Sequence, residues 1–259
     1  MKILTLARDL QRRKARERQR RFVAEGVRTV EALLGSALNV EGLLVSAEFG
    51  AGERETALLD AASSRQVPIT RVTDDEFAGA SDTSTPQGVL AIAAMPDWRM
   101  PGLSPGVPMR LLVLDALQDP GNVGTVIRTA AALGVTATIA LPGTADVWNA
   151  KVVRGAMGAL FVHPVFQWSW DEVTAFSASH TVPLWAAALE GVSCASLAAD
   201  AVPPHLALVV GNEGAGLTPE VEATVAQRVH IPMSPVVESL NVAAATAILL
   251  WALRPSAHV

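Results

Sequence analysis

One cysteine, Cys194, stands among 259 residues, so the chain has no disulfide framework and no zinc knuckle. Without an evident partner base, Cys194 reads as a small buried side chain. The five histidines show no metal-ligand spacing, so no metal is expected, and His163 and His230 read as structural residues at strand edges. No Lys-Ser or Lys-Thr pair follows a glycine-rich loop, which argues against nucleotide hydrolysis. No GxGxxG follows the first strand of the regular half of the chain, which counts against a dinucleotide site. Long apolar runs are also missing. The longest, near the C-terminus, is about 12 residues, short of the ~18 a membrane span needs. The start, MKILTLARDLQRR, is interrupted by Asp9 and Arg12 and does not read as a signal peptide. The expectation is a cytoplasmic protein with no membrane partner.

Half of the residues are hydrophobic, mean hydropathy is +0.33, and 17% are charged. The net charge of −5 hides a division. Residues 1–28 hold ten Lys or Arg against Asp9, Glu17 and Glu25, whereas the remaining 231 residues hold ten basic and 22 acidic groups. An arginine-dense segment on an acidic protein suggests a local contact with phosphates, for which Arg12, Arg13, Arg16 and Arg20 are the candidates. The alternative is a solvated basic helix.

The segment 12–34 passes from charged to amphipathic. GLLVSA (42–47) and GVLAIAAM (88–95) read as strands and ETALLDAASSRQ (55–66) as a helix, giving a small α/β domain over 1–95. PDWRMPGLSPGVP (96–108), with four prolines and two glycines, reads as a linker. From 109 to 259 the pattern becomes regular. RLLVLDA (110–116), VTATIAL (135–141), PLWAAAL (183–189), HLALVVG (205–211) and RVHIPM (228–233) read as strands, with helices in DPGNVGTVIRTAAALG and NAKVVRGAMGAL. Such alternation predicts a mostly parallel sheet.

Ligands in open parallel sheets sit where loops leave the carboxyl ends of strands. Several loops there are polar or glycine-rich: one brings Asn122 to a helix start and Arg128 two turns further in, and another is NEGAGL after HLALVVG. The last, SPVVESLNVAAATAILLW, crowds Glu238, Ser239 and Asn241 against a run, Val242 to Trp251, whose single polar residue is Thr246. Capping explains part of that crowding. A helix apolar all round is expected to be buried on every face.

Taken in order, NVGTVIRTAAALG, LVVGNEGAGL and IPMSPVVESLNVAAATAILLW resemble the three motifs of the SpoU/TrmH-like branch of SPOUT RNA methyltransferases, over about 109–255. The first 95 residues resemble the ribosomal-protein-like RNA-binding domain of many rRNA 2′-O-methyltransferases, through RFVAEGVRTVEALL and the basic lead. The resemblance implies an α/β SPOUT domain with a deep C-terminal trefoil knot, a homodimer built on the terminal helix, and S-adenosyl-L-methionine as cofactor. Thr129, Ala132 and Leu133 of the first-motif helix become candidate dimer neighbours. By the same resemblance Gly211, Ile231 and Leu240 contact the cofactor, with Met233 and backbone from Ala187 to Gly191. Arg128 matches the first-motif arginine; because a guanidinium stays protonated, it suits a phosphate clamp or alkoxide stabiliser better than a base. Asn122, Glu213, Ser239 and Asn241 match the remaining polar positions. The implied reaction is methyl transfer to a ribose 2′-hydroxyl of RNA, in large-subunit rRNA. The alternatives are a tRNA ribose methyltransferase and a noncatalytic ribosome-assembly factor.

Overall fold

A computed structural model of the chain describes residues 2–104 and 106–255. They form two compact units: residues up to 97 together with 146–162, and 98–145 together with 163 onward.

The first unit opens with α1 (Lys2–Asp9) and α2 (Arg13–Gln19), then β1 (Arg21–Glu25), α3 (Val27–Leu34), β2 (Val40–Val45), α4 (Glu53–Ser64), β3 (Ile69–Arg71), α5 (Asp74–Ala78) and β4 (Val89–Ala94). Its sheet runs β1-β4-β2-β3, with β4 antiparallel to both neighbours and β3 parallel to β2. The strand β1 comes from RFVAE, whose Phe22 and Ala24 are fully buried, on a stretch that reads in sequence only as a charged-to-amphipathic transition.

The second unit begins with β5 (Met109–Leu114), α6 (Pro120–Ala132) and β6 (Ala137–Ala140). Residues 146–162, which carry α7 (Ala150–Gly155) and a 3-10 turn, pack with the first unit although they lie between two strands of the second. Phe161 stacks on Phe22, Trp148 packs tilted against the same ring, and Arg16 pairs with Asp146 at 2.5 Å. Then follow β7 (Val165–Gln167), α8 (Trp170–His180), β8 (Leu184–Ser193), β9 (His205–Val210), α9 (Pro219–Glu222), β10 (Gln227–His230) and α10 (Val242–Ala252). The sheet is parallel throughout, in the order β10-β8-β9-β5-β6-β7. All six residues of β5 are buried, as a strand flanked on both edges requires.

The chain leaves β5 towards β6 and leaves β9 towards β10, on the opposite side of the sheet. Neighbouring strands whose outgoing loops diverge leave a crevice at their carboxyl ends. Arg110, 7% exposed, supports this frame from the other end of β5. It donates to the carbonyls of Leu253 (3.0 Å) and Pro204 (2.7 Å), and burial lowers its pKa to about 10. A cation at the last carbonyls of α10 meets the negative end of the helix dipole.

Within one chain α10 is not buried on every face, contrary to expectation. Ala243, Thr246, Leu249 and Leu250 are buried, but Ile248 is 41% and Trp251 57% exposed. The Trp251 ring carries the Arg254 guanidinium at 3.6 Å.

Candidate active site at the carboxyl ends of the parallel strands

Three loops meet at the crevice, and side-chain hydrogen bonds tie them together. Asp119 caps α6 by accepting from the Asn122 amide at 2.9 Å. The Asn122 side chain donates to Glu213 at 2.8 Å and accepts from Asn241 at 3.1 Å. Asn241 in turn caps α10, its Oδ1 accepting from the Ala243 amide at 2.9 Å. The polar crowd before the terminal helix is therefore part cap and part bridge: one asparagine serves the helix with one atom and the neighbouring loop with another.

The loop after β9 is held from beneath. Asn212 donates to the carbonyl of Ala116 at 2.9 Å and accepts from the amides of Gly214 and Ala215. Asp115, 1% exposed at the end of β5, accepts from the Thr218 amide at 2.7 Å. Gly211 stands where this loop folds back on itself. A Cβ there would lie 2.5 Å from the backbone of Gly216, inside any real contact distance. Neither Asp115 nor Asn212 is among the site residues expected from sequence. Asn212 lies inside the NEGAGL stretch, but its partner Ala116 is 96 residues away, a pairing no local pattern signals.

The third wall is made by an interruption of β8. Arg228 pairs with Ala186 and Val229 with Val192, so residues 187–191 bulge out of the β8–β10 ladder. His230 donates through Nδ1 to the carbonyl of Gly191 at 3.0 Å and closes the bulge.

These walls enclose a cavity of about 590 Å³, within the range of small-molecule sites. Ala187, Gly211, Glu213, Ile231, Met233, Ser239 and Leu240 all line it. Gly191 is not in the lining; its carbonyl closes the bulge against His230. Asn122 and Asn241 do not line it: Asn122 bonds to Glu213, which does, and Asn241 bonds to Asn122. Arg128 lies outside the lining, exposed on α6, with no hydrogen bond or ion pair among the described residues. His163 is structural, buried against the Thr138 hydroxyl at 2.8 Å, and burial lowers its pKa to about 4. Among the described residues no cluster of His, Cys, Asp or Glu could hold a metal ion, and no helix is long and apolar enough to cross a membrane.

The basic segment differs from expectation at one residue. Arg16 is not a surface residue: it is 4% exposed, bonded to Asp146 and to the carbonyls of Leu10 and Gln11, and it cannot reach a phosphate. Arg12 and Arg18 both pair with Asp9, and Arg13 pairs with Glu17 at 2.7 Å. Arg20 is exposed, in left-handed backbone at the end of α2.

A parallel sheet with a cavity at its carboxyl edge, lined by apolar residues such as Ile231, Met233 and Leu240 and by the glycine-rich loop after β9, defines a binder of a small molecule that works beside a polar cluster. The chain belongs to the SpoU rRNA Methylase family, whose model matches residues 109–251. An MRM3-like substrate binding domain matches residues 3–91. The chain is 32% identical over 248 residues to the 23S rRNA (guanosine(2553)-2′-O)-methyltransferase RlmP of Bacillus subtilis, covering 95% of this chain and 93% of that protein. An AdoMet-bound rRNA methyltransferase from Sinorhizobium meliloti superposes with a TM-score of 0.82 at 26% identity, over 97% of this chain and 94% of that one. The SpoU methyltransferase AviRb from Streptomyces viridochromogenes, in complex with AdoMet, gives a TM-score of 0.82 at 25% identity, over 97% and 96%.

Proposed function

We propose that this protein methylates a ribose 2′-hydroxyl of large-subunit rRNA, using S-adenosylmethionine held in the cavity at the carboxyl ends of the parallel strands. One observation carries the reading: the hydrogen-bonded chain Glu213–Asn122–Asn241 joins three motif loops beside a cavity of cofactor size. The residues present fit the cofactor. Ile231 and Leu240 offer apolar surface to an adenine, the main chain of 187–190, bulged out of the β8–β10 ladder, offers donors and acceptors, and the close approach at Gly211 leaves no room for a side chain.

When bound, the cofactor supplies an electrophilic sulfonium methyl. The chain itself must present a ribose hydroxyl and steady the charge that grows on its oxygen. Arg128 suits this role, because an uncommitted guanidinium on α6, two turns beyond Asn122, can grip the RNA phosphate and stabilise the developing alkoxide. Asn122, Glu213 and Asn241 hold the loops in register, and Ser239 places a hydroxyl on the cavity wall. Arg12, Arg13 and Arg20 remain candidate phosphate contacts at the surface of the first unit. We assign the exposed face of α10 to a homodimer and the path of the chain into α10 to a trefoil knot, and we place the protein in the cytoplasm.

The test is methyl transfer from labelled S-adenosylmethionine to 23S rRNA, with the modified position mapped by resistance to alkaline cleavage. Incorporation at a ribose of 23S rRNA is expected. Incorporation into tRNA alone, or into neither, would overturn the proposal.

A further inference from the structure

We propose that His230 is a positioning residue for the cofactor: its imidazole holds the bulged main chain of 187–191 in the shape that S-adenosylmethionine meets, and so sets cofactor affinity without touching the cofactor. The inference rests on the reading of the cavity as the S-adenosylmethionine site. In sequence His230 reads only as a structural residue at a strand edge; the fold gives it a more particular place.

The gap in the β8–β10 ladder makes such a device necessary. Ala186 pairs with Arg228 and Val192 with Val229, and β9 pairs with β8 only as far as Ala186. Residues 187–190 therefore have no register partner in either neighbouring strand, and all four line the cavity. Main-chain N–H and C=O groups that a continuous ladder would use are left for a ligand. The same gap leaves the wall loose. Nothing in the sheet fixes these four residues, and a wall ordered only when ligand arrives loses affinity to conformational entropy.

Gly191 is where the bulge rejoins the strand. It stands at φ 133°, and a Cβ there would lie 2.4 Å from the Arg228 carbonyl oxygen. No side chain fits, so the return to the ladder is made by the residue with the freest backbone. His230 removes that freedom. Its Nδ1 donates to the Gly191 carbonyl at 3.0 Å, and its own carbonyl accepts from the Cys194 amide at 2.9 Å. A carbonyl can only accept, which places the proton on Nδ1. Among the described residues no other side chain hydrogen-bonds to the main chain of 187–191. The nearby cation Arg228 is engaged with Glu222 at 2.9 Å. The next residue, Ile231, lines the cavity. His230 thus joins two walls: its side chain fixes the bulge, and its successor in the chain offers the apolar surface assigned to the adenine.

The test uses the full chain with His230→Ala, His230→Asn and His230→Asp. The asparagine Nδ2 stands as many bonds from the main chain as the histidine Nδ1 and can donate to the same carbonyl. The aspartate has the same shape but, when ionised, can only accept. Calorimetry with S-adenosylmethionine is expected to show binding about fivefold weaker for His230→Ala, roughly tenfold or more weaker for His230→Asp, and within about twofold of wild type for His230→Asn. Methyl transfer to 23S rRNA should divide in the same way. KM for the cofactor rises in the alanine and aspartate variants, while kcat at saturating cofactor and KM for RNA stay within about twofold. Wild-type cofactor affinity in all three variants, equal losses in asparagine and aspartate, or a loss confined to kcat would overturn the role of His230 and leave the cavity assignment standing. A wild type that binds no S-adenosylmethionine would overturn the cavity assignment, and the role with it.

Discussion

Arg128 and Gly211 stand in different places at the candidate site. Arg128 is exposed on α6 and lines no part of the cavity, whereas Gly211 is part of the cavity wall and admits no side chain. Arg128→Ala should therefore lower kcat/KM by about 10²–10³, the size expected for one oxyanion-stabilising donor, and leave S-adenosylmethionine affinity unchanged. Gly211→Ala should do the reverse at the binding step, weakening the cofactor at least tenfold by forcing the 211–217 loop outward. Calorimetry on both variants, beside single-turnover methyl transfer, separates the roles; equal loss of cofactor affinity in the two would merge them. A third residue acts on stability alone. Burial holds His163 neutral in the fold, with a pKa near 4 against an ordinary 6.5. The unfolded chain then binds the extra proton first, so stability falls as pH drops through 6.5 and levels off below about 4, a loss of up to ~3 kcal/mol. His163→Asn should flatten the slope of melting temperature between pH 7 and 4.5. Parallel slopes for variant and wild type would assign the acid sensitivity to other groups.

Among the elements, α10 presents a problem the single chain does not solve. A helix with Ile248 and Trp251 turned to solvent leaves its apolar face only partly covered. Leu249, at 2% exposure, belongs to the core and to the cavity wall, so a charge there would test folding. Trp251→Glu is the cleaner change. Light scattering at micromolar concentration should show a dimer for the wild type and a monomer for Trp251→Glu, with activity falling in parallel. A monomeric wild type contradicts the assignment. The parallel strands themselves are legible from sequence because RLLVLDA, VTATIAL and HLALVVG are short apolar runs bounded by turn residues. The three-residue strands β3 and β7 are not, since each is defined by the neighbour it pairs with rather than by its own pattern. The cavity residues are legible because they cluster in loops of unusual composition. Arg16 is misleading for the same reason that makes it look basic and free: Asp146, its partner, lies 130 residues away.

At the scale of the whole molecule, the boundary in the chain is not the boundary in the packing. A cut at the proline-rich 96–108 segment would separate two halves by composition, yet residues 146–162 have their partners before it. Trp148, Val152, Leu160 and Phe161 are buried, with the Phe22 ring packed against Trp148 at 4.6 Å and Phe161 at 5.7 Å. Arg16 and Asp146 are both nearly buried, and removing one partner of such a pair costs about 3–5 kcal/mol because the other charge is left uncompensated. A chain beginning at Trp98 should therefore expose a contiguous apolar surface, bind a hydrophobic dye, and aggregate or melt well below the full protein. In the full chain, Arg16→Ala should lower stability by several kcal/mol in urea titration, while Arg20→Ala, on an exposed side chain, should change it by less than about 0.5 kcal/mol. If the chain from Trp98 melts cooperatively at the full-length temperature and Arg16→Ala is as mild as Arg20→Ala, the 146–162 segment is only a loop of the methyltransferase unit. If both are severe, the substrate-binding unit is completed by residues from within the catalytic sequence and cannot be gained or lost as a simple N-terminal attachment.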